Sequence, residues 1–353
     1  MADGRRVLIT GISDKLAGMV AAALEKEDEV SYIVGVDGTD PVHDLTRTEF
    51  VRTDVTNPLM AKVLTATDVD TLVHMSTVSA PTSVGGRTPM KERNVMGAIQ
   101  LMASAHRAKN IQRIVLKSST AIYGSEFTHP SLITEDFSAA VANAKDGFSK
   151  DVDEVEGAFR AFVNRRPEVS LTTLRYANFV GGSLDSTFAR YFSLPAVPTI
   201  FGHDPRLQFC HEEDAVEVMV RAVLDDHPGT WNVAGPGVVY LSQAIRLAGR
   251  VPAPVPAGLV RGASGLIRRT RRMDFTPEQL RYLKFGRVAD ISRLRFKFGY
   301  EPKWSSRAAF EDFVSRRRIS GLVNREEVIR WERELYDFIQ RKGQERFVQA
   351  RRR

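Results

Sequence analysis

The pattern that most restricts the fold of this 353-residue chain is an alternation, over its first half, of short β-rich runs with helical stretches. Val7–Thr10, Ser31–Val36, Glu49–Thr53, Thr71–Met75, Arg113–Lys117 and Ser170–Leu174 read as strands, each bounded by turn or polar residues. Helical spacing fills the intervals at about Leu16–Lys26, Pro58–Thr65, Met90–Ala108 and Ser149–Asn164. Strands and helices alternating in this way form βαβ crossovers and give a parallel sheet with helices on both faces. Beyond Phe179 the pattern breaks into Pro- and Gly-containing pieces, with a further helix at Glu213–Leu224 and a strand near Thr230–Val233. The expected fold is α/β: a doubly wound parallel sheet from residues 1–178 plus about 207–235, a smaller lobe from about 179–206 and 236–318, and a basic helical tail at 319–353.

With 43% apolar and 26% charged residues the chain can bury a large core, which argues against disorder. The net charge of +7 is unevenly placed: residues 1–240 hold 23 basic and 31 acidic residues, and residues 241–353 hold 27 and 12. That basic final third admits a phosphorylated ligand, an anionic membrane surface or nucleic acid. No nucleic-acid recognition motif accompanies it, so a specific nucleic-acid partner is not expected. Two amphipathic stretches lie in this third, Leu259–Arg272 and Val328–Ile339, and both read first as helices docked on the protein body. The arginines that end the first keep a weak peripheral membrane contact open. Cys210 is the sole cysteine, which excludes an intrachain disulfide and a Cys-rich zinc site. No run approaches the length of an apolar membrane span, so a cytoplasmic location is expected.

The opening Val7-Leu-Ile-Thr-Gly-Ile-Ser-Asp-Lys-Leu-Ala-Gly18 is a strand, a tight turn and a helix start. A doubly wound fold binds a dinucleotide pyrophosphate at such a turn, because Gly permits close backbone approach and the helix N-terminus supplies amide donors. Gly11, Ser13 and Leu16 are the candidate contacts. Asp37 ends the second strand, where a carboxylate binds the ribose hydroxyls of NAD and repels the 2′-phosphate of NADP. A solvated strand-end acid is an equally good reading of Asp37 taken alone.

Further pieces stand in a telling order: Arg52-Thr-Asp-Val55, His74-Met-Ser76, Asn94-Val-Met-Gly97, Ser118-Ser-Thr-Ala-Ile-Tyr-Gly124, Lys150, Leu174-Arg-Tyr-Ala-Asn178, His211-Glu-Glu-Asp214, Trp231-Asn-Val-Ala-Gly235 and Gly299-Tyr-Glu-Pro302. With Gly11 and Asp37, they make the chain resemble the extended short-chain dehydrogenase/reductases, specifically the NAD-dependent epimerase/dehydratase family of nucleotide-sugar enzymes. The Ser118–Gly124 stretch and Arg287–Ser292 bring it near an actinobacterial branch labelled UDP-glucose 4-epimerase-like. The resemblance implies a Rossmann-type fold, NAD as cofactor, a nucleotide sugar or other diphosphate-bearing partner, and a homodimer packed through Asn94–Ala108 and Ser149–Asn164. It implies that Asp54 and Val55 flank the adenine, that His74, Met75 and Ser76 pass under the pyrophosphate and ribose, and that Asn94 fixes the central helix. Ser118 would join the cofactor site, Tyr176 would lie against the nicotinamide, and Asn178, Arg206 and Arg281 would face substrate. Ser119, four residues before Tyr123, falls at the family's catalytic Ser/Thr; a strand-end Ser bonded to local backbone is the competing reading.

Two departures bear on activity. The family's second turn glycine is Asp14 here, whose carboxylate would oppose a pyrophosphate but serves well as a helix N-cap. The family's acid/base pair is a Tyr followed four residues later by Lys. Lys150 keeps the Lys, but the Tyr position is Asp146, and no Tyr occurs between Tyr123 and Tyr176. Asp146 and Lys150 also suit a helix salt bridge. The chain therefore reads as a hydride-transferring enzyme that uses Ser119, Lys150 and Asp146, or as a catalytically degenerate relative that serves as a nucleotide-binding sensor or scaffold.

Overall fold

The computed structural model of the chain describes residues 4–79, 84–137, 147–182, 184, 187–194, 196–255 and 276–322. Its strands are β1 Arg5–Thr10, β2 Val30–Asp37, β3 Thr48–Arg52, β4 Thr71–His74, β5 Arg113–Ser119, β6 Ser170–Tyr176, β7 Asn178–Val180, β8 Ala196–Ile200, β9 Arg206–Leu207, β10 Phe209–His211, β11 Gly229–Val233, β12 Val239–Tyr240 and β13 Val251–Val255. The helices are α1 Lys15–Leu24, α2 Met60–Thr67, α3 Arg87–Lys91, α4 Gly97–Ala105, α5 Phe148–Arg165, α6 Thr187–Phe192, α7 Glu212–Leu224, α8 Leu241–Leu247, α9 Pro277–Phe285 and α10 Ser306–Leu322.

Seven strands form one sheet in the order β11-β6-β5-β4-β1-β2-β3, every pair parallel. This is the doubly wound sheet that the alternating pattern predicts. Its central strands are buried on both faces, so they read as continuous apolar runs. In β1, Val7 and Ile9 enter the core shared with α1 and α7, while Leu8 enters the opposite core shared with α2, α4 and α5. The order reverses at β1 and β4, and a doubly wound sheet opens its ligand crevice at the strand ends there.

The second lobe has its own core, in which Val180, Phe192, Val197, Leu207, Phe209 and Phe310 pack together. Phe209 stacks on Phe310 with ring centroids 5.3 Å apart. Small paired strands, β7 with β10, β9 with β12 and β8 with β13, frame it. The His211–Asp214 stretch ties this lobe to α10: His211 stacks on Trp304 at 4.1 Å, and its Nε2 lies 3.2 Å from Asp312. Asp214 accepts hydrogen bonds from the Tyr300 hydroxyl at 2.6 Å and from the Lys303 and Trp304 amides at 2.8 and 3.1 Å.

The single helix expected over Met90–Ala108 is instead α3, a π turn at Glu92–Met96, and α4. Close packing accompanies the irregularity, since a Cβ on Gly97 would lie 2.9 Å from Val55 Cγ2. The π turn carries Arg93 at the rim of the crevice and buried Asn94 behind it, and such turns often mark functional positions. Leu259–Arg272, Val328–Ile339 and Asp146 lie outside the described residues, as does the expected tail beyond Leu322. No described helix is long and apolar enough to cross a membrane.

Candidate functional site

A cavity of about 1080 Å³ runs from the β1–α1 turn, along the ends of β4, β5 and β6, to α9 in the second lobe. Gly11, Ser13, Asp14, Leu16 and Asp37 line one end; Ser118, Ser119 and Tyr176 line the middle; Asn178, Arg281 and Tyr282 line the other.

At the first end, Gly11 has φ +74°, and a Cβ there would lie 2.7 Å from Ser76 Cα. The turn thus passes against the β4 loop at a separation only glycine allows. Asp37 Oδ1 accepts from the Gly38 amide at 2.7 Å, and Oδ2 accepts from the Ser13 amide at 3.3 Å. The acid is therefore aimed back at the glycine turn and is buried, unlike a solvated strand-end acid. Asp14 is the N-cap of α1: its Oδ1 accepts from the Leu16 amide at 3.0 Å. The carboxylate occupies a donor that a helix N-terminus otherwise offers to phosphate.

His74 forms the floor behind Met75 and Ser76. Its Nδ1 lies 2.9 Å from Thr10 Oγ1, and its ring packs 5.1 Å from Phe159. Burial, aided by the Lys117 charge, pushes its pKa down to about 3, so the folded protein holds it neutral. An unfolded histidine binds a proton near pH 6.5. The unfolded state therefore binds more protons between about pH 6.5 and 3, and stability falls as pH falls through that window. Urea unfolding should show a falling midpoint from pH 7 to 5 that flattens in His74→Gln; an equal slope in both proteins would show that His74 is not its source.

Ser118 turns its hydroxyl to buried Glu156, donating to Oε1 at 2.6 Å. Arg175 donates to the same carboxylate at 2.9 and 2.7 Å, and reaches the Tyr123 oxygen at 2.9 Å. Tyr123 in turn donates to Asn232 at 2.7 Å. Ser119 Oγ accepts from the Ala121 amide at 3.1 Å, and the residue lines the cavity. Tyr176 is buried, and its hydroxyl donates to Ala215 O at 3.1 Å. Asn178 Nδ2 donates to the Tyr282 hydroxyl at 2.8 Å, and Arg281 stands 3.4 Å from Glu126.

Several expected contacts stand apart from this cavity. Lys150 is not among its lining residues; its amine lies 3.8 Å from Glu154, one turn along α5. Asp54 accepts from the Thr56 amide at 2.8 Å and hydroxyl at 2.7 Å, closing a local turn, and Val55 is buried against Gly97. Asn94 clamps the chain at Val78 with two 2.8 Å bonds, so it fixes the β4 loop to the π turn from behind. Arg206 donates to Ser131 O at 3.0 Å, away from the lining.

Sequence reasoning missed Arg87, Arg93 and Arg287, all of which line the cavity. Arg87 makes a bidentate pair with fully buried Asp151 at 2.5 and 2.7 Å and donates to Gly147 O at 2.9 Å. Arg287 lies over the Tyr282 ring at 5.0 Å and donates to Gly124 O at 3.2 Å. Their neighbours in sequence carried the only signals: Arg93 precedes Asn94, and Arg287 opens the Arg287–Ser292 stretch. Among the described residues no group of three His, Cys, Asp or Glu side chains could hold a metal.

A doubly wound parallel sheet with a crevice at its strand ends and a second lobe beside it defines a Rossmann-type protein. Residues 7–234 match the model of the NAD dependent epimerase/dehydratase family, and the chain belongs to that family. An uncharacterised protein of Mycobacterium tuberculosis is 40% identical over 341 residues, spanning 96% of this chain and 90% of that protein. UDP-glucuronic acid decarboxylase 6 of Arabidopsis thaliana is 25% identical over 270 residues, 73% of this chain and 70% of its own. Among solved structures, a UDP-glucose 4-epimerase of Stenotrophomonas maltophila with bound NAD superposes with a TM-score of 0.68 at 19% identity, covering 90% of this chain and all of that one.

Proposed function

We propose that this chain binds NAD and a nucleotide sugar and interconverts the sugar by reversible hydride transfer. The observation that carries this reading is the continuity of the cavity, which joins the glycine turn and Asp37 to Asn178 and on to Arg281 and Tyr282 of the second lobe. The similar proteins support the ligand classes: the Stenotrophomonas structure holds NAD with a UDP-sugar, and the Arabidopsis relative is named for a UDP-sugar reaction. The residues fit NAD at Gly11, whose missing side chain lets the turn close onto the β4 loop at the edge of the cavity, and at Asp37, whose carboxylate faces the turn. Bound NAD supplies the acceptor and donor of hydride. Ser119, which lines the cavity, donates a hydrogen bond to the reacting sugar oxygen. The sheet domain, 1–178 with about 207–235, carries the cofactor, and the lobe carries the diphosphate-bearing substrate with Arg281 among its cations.

The sugar hydroxyl must lose its proton as hydride leaves, and the position of the family's tyrosine is Asp146. A carboxylate's reference pKa lies about six units below a phenol's, so Asp146 accepts such a proton poorly. Lys150 would have to leave Glu154 to hold a ribose hydroxyl. Slow turnover follows from both points. A homodimer is part of this proposal, supported by Met96 and Ile99, each 46% exposed on the α4 side.

Calorimetric titration with NAD, followed by assays on UDP-, GDP- and TDP-sugars, tests the reading. NAD binding, slow turnover that rises by about tenfold or more in Asp146→Tyr, and a dimeric mass in solution are expected. Absence of binding by both NAD and NADP would sink it. Binding without turnover in either protein would leave a nucleotide-binding sensor or scaffold.

A further inference from the structure

The adenosine end of the cavity carries a cation that Asp37 alone does not explain. Arg93 projects from the π turn at Glu92–Met96, and its Nη2 lies 3.4 Å from Asp37 Oδ1. The acid is nearly buried, with a side chain 6% exposed, and the arginine side chain is 35% exposed. Arg93 Nε is buried without a hydrogen-bond partner among the described residues. The other arginine at this edge, Arg52, is already engaged by Asp40. Asp14 and Lys15 also line this end, so Asp37 is not the only charge a ligand meets there.

We propose that Arg93 makes the adenosine end of this cavity tolerant of a 2′-phosphate, so that NADP binds alongside NAD. A carboxylate at the tip of the second strand accepts from a ribose 2′-hydroxyl and repels a 2′-phosphate, whereas a nearby arginine accommodates that phosphate. Here the two groups are already in contact, 3.4 Å apart, at the wall of the cavity. When the ribose carries a hydroxyl, Asp37 accepts from it and Arg93 stays with Asp37. When it carries a phosphate, Arg93 turns its planar donors to the phosphate oxygens, and its charge offsets that of Asp37. Arg93 is thus a specificity-determining residue whose position in sequence gives no hint of its partner 56 residues earlier.

This inference rests on the reading of the cavity as a dinucleotide site, and the test separates the two. Dissociation constants for NAD and NADP are measured by calorimetry on the wild type, Arg93→Ala and Arg93→Gln, with thermal melting to confirm that each is folded. The wild type should bind NADP within about tenfold of NAD, and both variants should raise the NADP-to-NAD ratio of constants by about tenfold, the worth of one charged hydrogen bond. Arg93→Lys, which keeps the charge without the planar fork, should fall between. NAD binding with an unchanged ratio in every variant overturns the role of Arg93 and leaves the cofactor reading standing. Binding of neither nucleotide by the wild type overturns both.

Discussion

Glu156→Ala should destabilise the protein by about 3–5 kcal/mol, the usual cost of leaving a buried charge without its partner. The orphaned group is Arg175, whose side chain is 8% exposed and which spends two hydrogen bonds on Glu156. Burial lowers an arginine's affinity for its proton, yet here Glu156 and the Tyr123 oxygen more than restore it, and the pKa is raised above the ordinary value. Without the carboxylate, the cation keeps, among the described residues, the Tyr123 oxygen and Glu135 O, at 2.9 and 3.2 Å. Ser118→Ala removes one donor to the same carboxylate and should cost only about 1 kcal/mol. Urea unfolding of both variants reads the difference; a Glu156→Ala loss no larger than that of Ser118→Ala would show that Arg175 finds another partner.

This network also serves the site. Ser118 pairs with Arg175 across β5 and β6, and Ser119 pairs with Tyr176 one residue further on. Adjacent residues of a strand point to opposite faces, so Ser118 and Arg175 turn their polar groups to Glu156 behind the strand ends, while Ser119 and Tyr176 face the cavity that Ser118 also borders. Loosening this network should move the Ser119 hydroxyl, a cost that a stability measurement alone would miss.

The sheet was legible in the sequence because parallel strands buried on both faces need apolar runs, and Val7–Thr10 and Arg113–Lys117 can hardly be anything else. The glycine turn was legible for a similar reason: Gly11 needs a positive φ and close approach to Ser76. Asp14 was readable both as a cap and as an obstacle to pyrophosphate, and the structure makes it a cap. Residue roles fared less well where local chemistry competes with a long-range contact. Asp54 closes a turn with Thr56, and Lys150 pairs with Glu154, both within four residues. The Arg87–Asp151 and Arg93–Asp37 pairs span 64 and 56 residues, and no periodicity records which loops the sheet brings together.

Asp14→Asn should tighten NAD binding by about tenfold with little change in stability, because Asn caps a helix about as well as Asp but carries no charge. The penalty it removes is electrostatic. A carboxylate about 4 Å from a phosphate costs about 1 kcal/mol in water and about 4 kcal/mol in a half-buried crevice, so a tenfold gain is the conservative end. Asp14→Gly removes the side chain as well as the charge and restores the residue that lets backbone reach pyrophosphate. It should tighten binding further, while the lost cap to the Leu16 amide costs only a few tenths of a kcal/mol. The pair of variants therefore divides the obstacle into charge and bulk. Raising the salt concentration should shrink the Asn effect and leave the additional Gly effect standing, since only the first is screened. Unchanged NAD affinity in both variants would mean that the pyrophosphate does not pass over the start of α1, and the binding pose argued from Gly11 and Asp37 would have to be abandoned.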